Sequence, residues 1–301
     1  MSATGKTEIN MASRLVNSVL AIKPLANFAK NRARNMMVER AEAIGVPWRD
    51  NVKQLSDRDW SSELAAVQNP DLEYPDYYTT SFHAYEEGNL SWKPAWEVES
   101  AARAVHAKIW SDGDVNGDTM LRQSYHRVLE QLSIAPANIL DLGCGVGMST
   151  FAMQEVYPQA RVTGLDLSPY FLSVARYRGQ QNIEWIHAAA ESTGLPDNSF
   201  DLISACLVFH ELPTDAAKAI ITEARRLLRS GGYLTIMDMN PQSPVFKKMP
   251  SYVLTLLKST EPYLDQYFTL DLDRVFTEAG FTIVDTVANS PRHRTIVASL
   301  A

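Results

Sequence analysis

A glycine-rich turn near the middle of the chain has the residue types and spacing of a ligand-binding loop. Residues 138–142 form an apolar run that predicts a buried strand, and Gly143, Gly145 and Gly147 follow it at alternate positions. Glycine lets a ligand approach the backbone, and the helix predicted over 148–156 would present unpaired N–H groups to it. The turn therefore predicts a nucleotide-like ligand, although nucleotide-binding domains of several kinds contain such a triplet.

Two aspartates frame this turn. Asp141 opens the spacing D-x-G-x-G-x-G, and Asp166 ends the next predicted strand about twenty residues on, where a carboxylate can hold two ribose hydroxyls. A dinucleotide-binding domain would usually show G-x-G-x-x-G instead. The pattern resembles the class I S-adenosylmethionine-dependent methyltransferases, whose ligand carries no phosphate. The resemblance implies that the turn cradles an amino acid and a ribose.

Further motifs follow in the order of that family. Residues 190–191 and 195–201 resemble its loop and its entry into the fourth strand, and residues 223–234 resemble its helix-to-fifth-strand turn. The resemblance covers roughly residues 120–301. It implies an S-adenosylmethionine-dependent methyltransferase with S-adenosyl-L-methionine as cofactor and S-adenosyl-L-homocysteine as product, but it indicates no particular substrate.

The resemblance also implies which residues bind the cofactor. Asp141 would order the turn and take the amino group of the methionine moiety, and Leu167 would pack on the adenine. Many relatives have an Asp immediately before the Ala that matches Ala190, but this chain has Ala189 there. The adenine would then be held by backbone groups, by Glu191 or by water. The expected cofactor-binding set is Asp141, Gly143, Cys144, Gly145, Gly147, Asp166, Leu167, Ala189, Ala190, Glu191 and Leu207.

His210 and Glu211 follow the fourth predicted strand, whose carboxyl end faces the ligand cleft. A histidine can remove the proton from an attacking hydroxyl or amine, so His210 is either a general base or a residue that only lines the pocket. Glu211 would orient His210 or cap the next helix. The other histidines show no metal-ligand spacing, and the nearest acidic group at a strand end, Asp238, is interpreted as structural, so no metal is predicted. Arg122 either pairs the cofactor carboxylate or lies on a solvated helix face.

Alternating elements must position these residues. Strands are predicted near 138–142, 161–166, 183–187, 200–206, 232–238, 281–287 and 293–299, with helices near 148–156, 169–178, 213–229 and 270–279. This order predicts an α/β fold with a doubly wound, mostly parallel seven-stranded sheet, the Rossmann-like methyltransferase fold, and the last two strands pair as a hairpin. An insertion over 239–268, here called the cap, contains a predicted helical run at 246–257 and would lie above the strand ends.

Residues 1–117 are predicted to form a mainly helical and aromatic lid region before the catalytic domain at 118–301. Residues 1–45 carry seven Lys or Arg and three Glu, and their apolar residues recur at roughly helical spacing. They either contact an anionic membrane or an apolar substrate, or pack as helices on the domain or a second subunit. Prolines and a Gly-Asn pair break regular structure over 46–100, where aromatic residues predict a lid. The expected acceptor contacts are His83, Tyr85, Trp92, Tyr263 and Tyr267.

Bulk composition limits the possible partners. The net charge of −7 argues against nucleic acid as a partner. The two cysteines suit a reducing compartment, and we find no long apolar run or secretory signal, which together predict a cytoplasmic protein. Nothing in the sequence indicates the oligomeric state.

The sequence thus predicts methyl transfer to a small apolar or aromatic molecule, such as a specialised metabolite, quinone or lipid-like compound, at O, N or C. Alignment of the reactants and exclusion of water are the main demands of this reaction, so it needs no catalytic triad. The alternatives are a peptide or protein methyltransferase and a non-catalytic protein that binds the cofactor.

Overall fold

The computed structural model of the chain describes residues 23–82, 85–110, 113–179 and 182–301. The basic stretch over residues 1–22 and the predicted acceptor contact His83 lie outside these residues. Among the helices described, none has the length and the apolar character that crossing a bilayer requires.

Within the described ranges, seven strands form one sheet. They are β1 (Asn138–Leu142), β2 (Arg161–Asp166), β3 (Ile183–His187), β4 (Phe200–Cys206), β5 (Leu228–Met239), β6 (Phe281–Val287) and β7 (His293–Leu300). Their order across the sheet is β3-β2-β1-β4-β5-β7-β6, and β7 runs antiparallel to both of its neighbours. The predicted doubly wound α/β fold is confirmed, including the closing hairpin.

Helices cover both faces of the sheet, and further helices precede it along the chain. Leu140 and Leu142 pack into the apolar cluster on one face, while Ile139 belongs to the cluster on the other, as the alternation along a strand requires. The helices are α1 (Lys23–Ala43), α2 (Trp48–Ser56), α3 (Ser61–Val67), α4 (Trp92–His106), α5 (Gly117–Gln131), α6 (Met148–Val156), α7 (Pro169–Arg178), α8 (Thr214–Leu227), α9 (Pro244–Lys247), α10 (Ser251–Lys258), α11 (Leu264–Thr269) and α12 (Leu272–Glu278).

Helix α5 is fixed to the sheet by a buried tyrosine. The Tyr125 hydroxyl bonds to Ser204 Oγ at 2.8 Å and also reaches Thr235 Oγ1, so one side chain joins α5 to β4 and β5. Arg122 lies three residues earlier on the same helix face. The anchored tyrosine therefore sets where the Arg122 guanidinium meets the sheet edge.

The N-terminal helices pack on the rest of the chain. Val38 of α1, Trp48 of α2 and Ala104 of α4 share one buried cluster, and Arg34 forms an ion pair with the buried Glu97. For residues 34–43, this arrangement agrees with the interpretation of helices that pack on the domain.

Two local predictions are wrong. The helical run over 246–257 is divided into α9 and α10 around Pro250, because proline lacks an N–H donor and disfavours a helical residue before it. The stretch 46–100, predicted to be irregular, contains α2, α3 and the start of α4, since Trp48 and Trp60 supply buried anchors for short helices.

Candidate active site

The carboxyl ends of the parallel strands open into a large cavity. Its volume is about 720 Å³, within the range of roughly 300–1,000 Å³ common for ligand sites. Its wall includes the turn after β1, the ends of β2 and β4, helices α1 and α4, and residues 245–261 of the cap. A ligand held there would lie between the sheet edge and the two added segments, away from bulk water.

The turn after β1 takes left-handed backbone at each glycine. The φ angle is 65° at Gly143, 54° at Gly145 and 85° at Gly147, a region that residues with a Cβ disfavour. Gly143 and Gly145 line the cavity. A Cβ on Gly143 would lie 2.7 Å from Val208, and one on Gly147 would lie 2.8 Å from the Trp185 ring. The packing around the turn therefore requires glycine at 143 and 147, and Gly143 and Gly145 present their backbone to the cavity.

We expect Gly143→Ala to lower the free energy of unfolding by about 2–4 kcal/mol, because the left-handed backbone and the contact with Val208 both become unfavourable. Gly194→Ala is the matched control. Its φ is 70°, and no described atom lies within 4 Å of its built Cβ, so only the backbone cost of about 1–2 kcal/mol applies. Urea unfolding of the two variants measures the difference. Equal losses would show that the contact with Val208 costs nothing.

Asp141 holds the helix that follows the turn. Its buried carboxylate accepts hydrogen bonds at Oδ2 from Ser149 Oγ at 2.6 Å and from Thr150 Oγ1 at 2.7 Å. Burial raises the pKa of Asp141, against the effect of these two bonds and of the Arg122 charge. Its Oδ1 is buried and has no hydrogen-bond partner among the described residues. Asp141 is fully buried and is not among the residues that line the cavity, so this oxygen is a free acceptor beneath the glycine turn.

Asp166 ties the end of β2 to the glycine turn. Its Oδ2 accepts from Gly145 N at 2.8 Å, its Oδ1 accepts from Ser168 N at 2.7 Å, and the Tyr78 hydroxyl lies 3.5 Å from Oδ1. Burial raises the pKa of Asp166 to about 6, against the effect of the two backbone bonds. The carboxylate is therefore mostly ionised at neutral pH. It also lines the cavity, where it can accept from further hydroxyl donors.

Four other residues of the predicted cofactor set also line the cavity. Leu207 is distinctive among them, because its φ of 62° is uncommon for a residue with a branched side chain. Its N–H donates to the Met237 carbonyl at 2.8 Å, which helps to hold this conformation. The four residues are Cys144, Leu167, Ala190 and Leu207.

The remaining two members of that set support the loop after β3. Ala189 is buried and forms an isolated bridge with Ser192. Glu191 accepts a hydrogen bond from the Tyr77 hydroxyl at 2.9 Å. Tyr77 itself lines the cavity. Glu191 thus positions an aromatic wall residue that the sequence analysis does not single out.

A buried ion-pair network between α4 and α5 reaches the same cavity. Arg122 Nε donates to Asp118 Oδ2 at 2.9 Å, and His106 Nδ1 donates to Asp118 Oδ1 at 2.7 Å. Burial opposes ionisation of Asp118, but the charge of Arg122 and the bond from His106 lower its pKa. The Arg122 side chain is only 12% exposed and lines the cavity, so it does not lie on a solvated helix face. Its guanidinium is placed to meet a ligand carboxylate.

His210 is held by Asp238 at the end of β5. Its Nδ1 donates to Asp238 Oδ1 at 2.7 Å, and its backbone N–H donates to Oδ2 at 3.1 Å. Burial disfavours the imidazolium, but the charge and hydrogen bond of Asp238 and the charges of Glu261 and Glu211 raise the pKa of His210 to about 9. Because Nδ1 is engaged, Nε2 is the nitrogen left to exchange a proton in the cavity. Asp238 therefore positions His210, a role that the sequence analysis does not assign to it.

Two glutamates complete the cluster around His210. One ligand atom each from His210, Glu211 and Glu261 lie within 4.8 Å of one another. Several divalent cations bind a set of one imidazole nitrogen and two carboxylates. The sequence, by contrast, predicts no metal site. The same cluster also places carboxylates beside the imidazole, with His210 Nε2 3.9 Å from Glu211 Oε1, an arrangement that suits proton transfer.

Tyr85 is the predicted acceptor contact that the structure places in the cavity wall. Its hydroxyl donates to Glu97 Oε2 at 2.6 Å, on the same carboxylate that pairs with Arg34. Tyr263 instead lies behind a wall residue, with its ring edge-on to Tyr77 at 6.3 Å between centroids.

Two predicted acceptor contacts need correction. Trp92 packs in an aromatic cluster, 4.8 Å from the Tyr170 ring and 5.4 Å from the Trp60 ring, and its apolar surface is partly buried against α7. Tyr267 is buried, and its hydroxyl donates to the Met239 carbonyl at 2.7 Å. Both residues stabilise the surroundings of the cavity and lie outside its described wall.

His293 also lines the cavity, and the sequence analysis does not single it out. It is the first residue of β7 and pairs with Met239, so the antiparallel final strand starts where β5 ends. The predicted hairpin already indicated this position for His293, because an antiparallel last strand begins where the parallel strands have their carboxyl ends. Burial and the neighbouring His106 lower the pKa of His293 to about 3, so it is neutral in the cavity.

These features define a class of protein. A sheet of this order, with a glycine turn after β1 and a carboxylate at the end of β2, is a Rossmann-like fold that binds a nucleoside at its strand ends. The backbone of Gly145 and the guanidinium of Arg122 lie in the cavity wall, where they can meet polar groups of such a ligand.

Known proteins agree with this class. The methyltransferase domain family matches residues 140–236. An uncharacterized methyltransferase of Synechocystis is 30% identical over 164 residues, 54% of this chain and 76% of that protein. A demethylmenaquinone methyltransferase of Listeria monocytogenes is 31% identical over 175 residues, 51% of this chain and 73% of that protein. A solved S-adenosylmethionine-dependent methyltransferase of Mesorhizobium loti has a TM-score of 0.46 and 20% identity, covering 58% of this chain and 97% of its own. The chain belongs to the class I S-adenosylmethionine-dependent methyltransferases, and S-adenosylmethionine is its cofactor.

Proposed function

We propose that this methyltransferase acts on a small acceptor with an aromatic or quinone-like body and an acidic hydroxyl or carbon. The observation that carries the proposal is that the glycine turn, Asp166 and His210 face a single cavity whose remaining wall is mostly apolar. A relative that matches over half of this chain is a demethylmenaquinone methyltransferase, which supports the same substrate class. A peptide acceptor would need a more open cleft.

Cofactor placement follows from the charges around the turn. Asp166 is the proposed ribose ligand, and Arg122 is the proposed partner of the methionine carboxylate. Asp141, through its unsatisfied oxygen, is the proposed acceptor for the amino group. When bound, S-adenosylmethionine supplies an electrophilic methyl group on a positively charged sulfur.

His210 is proposed to take the proton of the acceptor. With a pKa of about 9, its neutral form is a base well matched to a phenol-like hydroxyl, whose own pKa is about 10. Asp238 holds the imidazole in one orientation and stabilises the imidazolium that forms. Tyr77, Tyr78 and the cap enclose the acceptor and keep water from the reacting atoms.

An acceptor panel tests the proposed function. The protein is incubated with S-adenosylmethionine labelled in the methyl group, and products are separated by mass spectrometry. We expect label in hydroxylated aromatic compounds and quinols, and none in peptides or simple polar alcohols. Label in peptides alone would contradict the substrate class. Calorimetric binding of the cofactor without any labelled product would favour a non-catalytic binding protein.

A further inference from the structure

The cap has a charge that differs from the rest of the chain. Residues 239–268 contain three lysines and two acidic residues, Glu261 and Asp265, in a protein whose net charge is −7. Lys258 pairs with Asp265, while Lys247 and Lys248 are exposed at the end of α9 and just beyond it. Lys247 and Lys248 therefore form an exposed positive pair on an acidic protein, in the segment that lies over the cavity.

Helix α10 of the cap is apolar on two sides. Val253 and Leu257 line the cavity, four residues apart and hence on one face. Tyr252 and Leu256, shifted by one residue, are each 45% exposed. The inward residues close the cavity, but the outward pair has no such reason to be apolar. Tyr252 and Leu256 thus give this helix a small apolar surface that faces outward beside the cavity.

The cavity also reaches the surface at an apolar position. Val105 of α4 lines the cavity and is itself 45% exposed. An apolar acceptor that approaches the cavity can thus contact exposed apolar side chains on two helices, α4 and α10. This arrangement suits an acceptor that arrives from an apolar phase.

We propose that the cap docks on an anionic lipid bilayer, with Tyr252 and Leu256 in the interface and Lys247 and Lys248 against the lipid headgroups. Tyrosine and leucine next to lysine are the composition of a helix that lies in a membrane interface. Anionic headgroups supply the charge that the lysines complement, whereas the acidic remainder of the protein is repelled. The proposal rests on the proposed function in that it names the membrane as the source of the apolar acceptor.

Vesicle sedimentation tests the proposal without any turnover. The full chain is mixed with vesicles of phosphatidylcholine alone, or with roughly one third phosphatidylglycerol, and the bound fraction is measured. We expect binding to the anionic vesicles, little binding to the neutral vesicles, and loss of binding at high ionic strength. Lys247→Glu with Lys248→Glu should reduce the partition coefficient at least about tenfold, since each lysine near the surface contributes about 1 kcal/mol.

The apolar contribution has a matched control. Tyr252→Ser with Leu256→Ser should reduce vesicle binding by a similar factor. Val284→Ser changes a residue of β6 with the same 45% exposure and should leave binding unchanged. Thermal unfolding of each variant checks that the fold is retained, which is expected because all these side chains lie at the surface.

The outcomes separate the two proposals. Binding to neutral and anionic vesicles alike, equal losses from the control variant, or no vesicle binding at all would overturn docking on an anionic bilayer. A dimer in sedimentation velocity that the Tyr252 and Leu256 changes dissociate, without vesicle binding, would assign this surface to a second copy. Retained methylation of a water-dispersed aromatic acceptor in those cases would leave the proposed function intact. Vesicle binding without methylation of any panel compound would instead contradict the proposed function.

Discussion

Replacing His210 by alanine is expected to slow turnover by about a hundredfold or more and to leave cofactor affinity within a few-fold. A positioned general base contributes a factor of roughly 10²–10⁴ to the rate, and alanine removes it. Affinity should persist because Asp141, Asp166 and Arg122 lie on other elements. Single-turnover kinetics together with calorimetric titration of the cofactor measure the two quantities separately. Unchanged turnover would rule out an essential base at this position.

The pH dependence tests the same role independently. The raised pKa of His210 predicts that the wild-type rate increases as pH rises towards about 9, because only the neutral imidazole accepts a proton. Asp238→Asn removes the charge that raises this pKa, so the rising limb should move to lower pH while the maximum rate falls. A merely structural role of Asp238 would change the rate without moving the limb. The same shift makes the stability of the fold depend on pH. The His210–Asp238 pair contributes fully to the free energy of unfolding below about pH 6.5, and this contribution is lost as pH rises through about 9.

Replacing Asp166 by alanine is expected to weaken cofactor binding at least about tenfold, since hydrogen bonds to a charged group contribute roughly 1.5–3 kcal/mol. Two effects combine, because the carboxylate is the proposed ribose ligand and it also holds Gly145 N at 2.8 Å. Isothermal titration with S-adenosylhomocysteine measures the loss. Unchanged affinity would remove Asp166 from the site.

Two comparisons make the Asp166 result specific. Asp285→Ala, on the exposed face of β6, should leave the affinity unchanged. In the wild-type protein, affinity should also fall as pH decreases through about 6, where the Asp166 carboxylate becomes protonated. A flat profile between neutral pH and that value would mean that the carboxylate does not bind the nucleoside.

The cofactor half of the site is predictable from the sequence because its residues are close along the chain. Asp141, the glycines and Asp166 belong to one strand-turn-helix-strand unit, so the spacing fixes their geometry. Arg122 could be named as a candidate, but only the packing of α5 through Tyr125 decides that it faces the cavity.

The acceptor half depends on contacts between distant segments. Asp238 reaches His210 because β4 and β5 are neighbours, and Glu261 arrives from the cap. Aromatic composition alone does not show that Trp92 packs on the Tyr170 and Trp60 rings instead of the cavity wall. His293 could have been found by following the predicted hairpin back to the sheet edge.

The cap leaves the sheet at the end of β5 and rejoins it through α12, whereas the nucleoside end is built from β1 and β2. Residues that bind the methyl donor and residues that bind the acceptor thus lie on separate segments of the chain, which meet at one edge of the sheet. Exchange of residues 240–268 between relatives should transplant acceptor preference while leaving the donor chemistry in place. Divergence of such enzymes can then proceed by recombination of that one interchangeable segment.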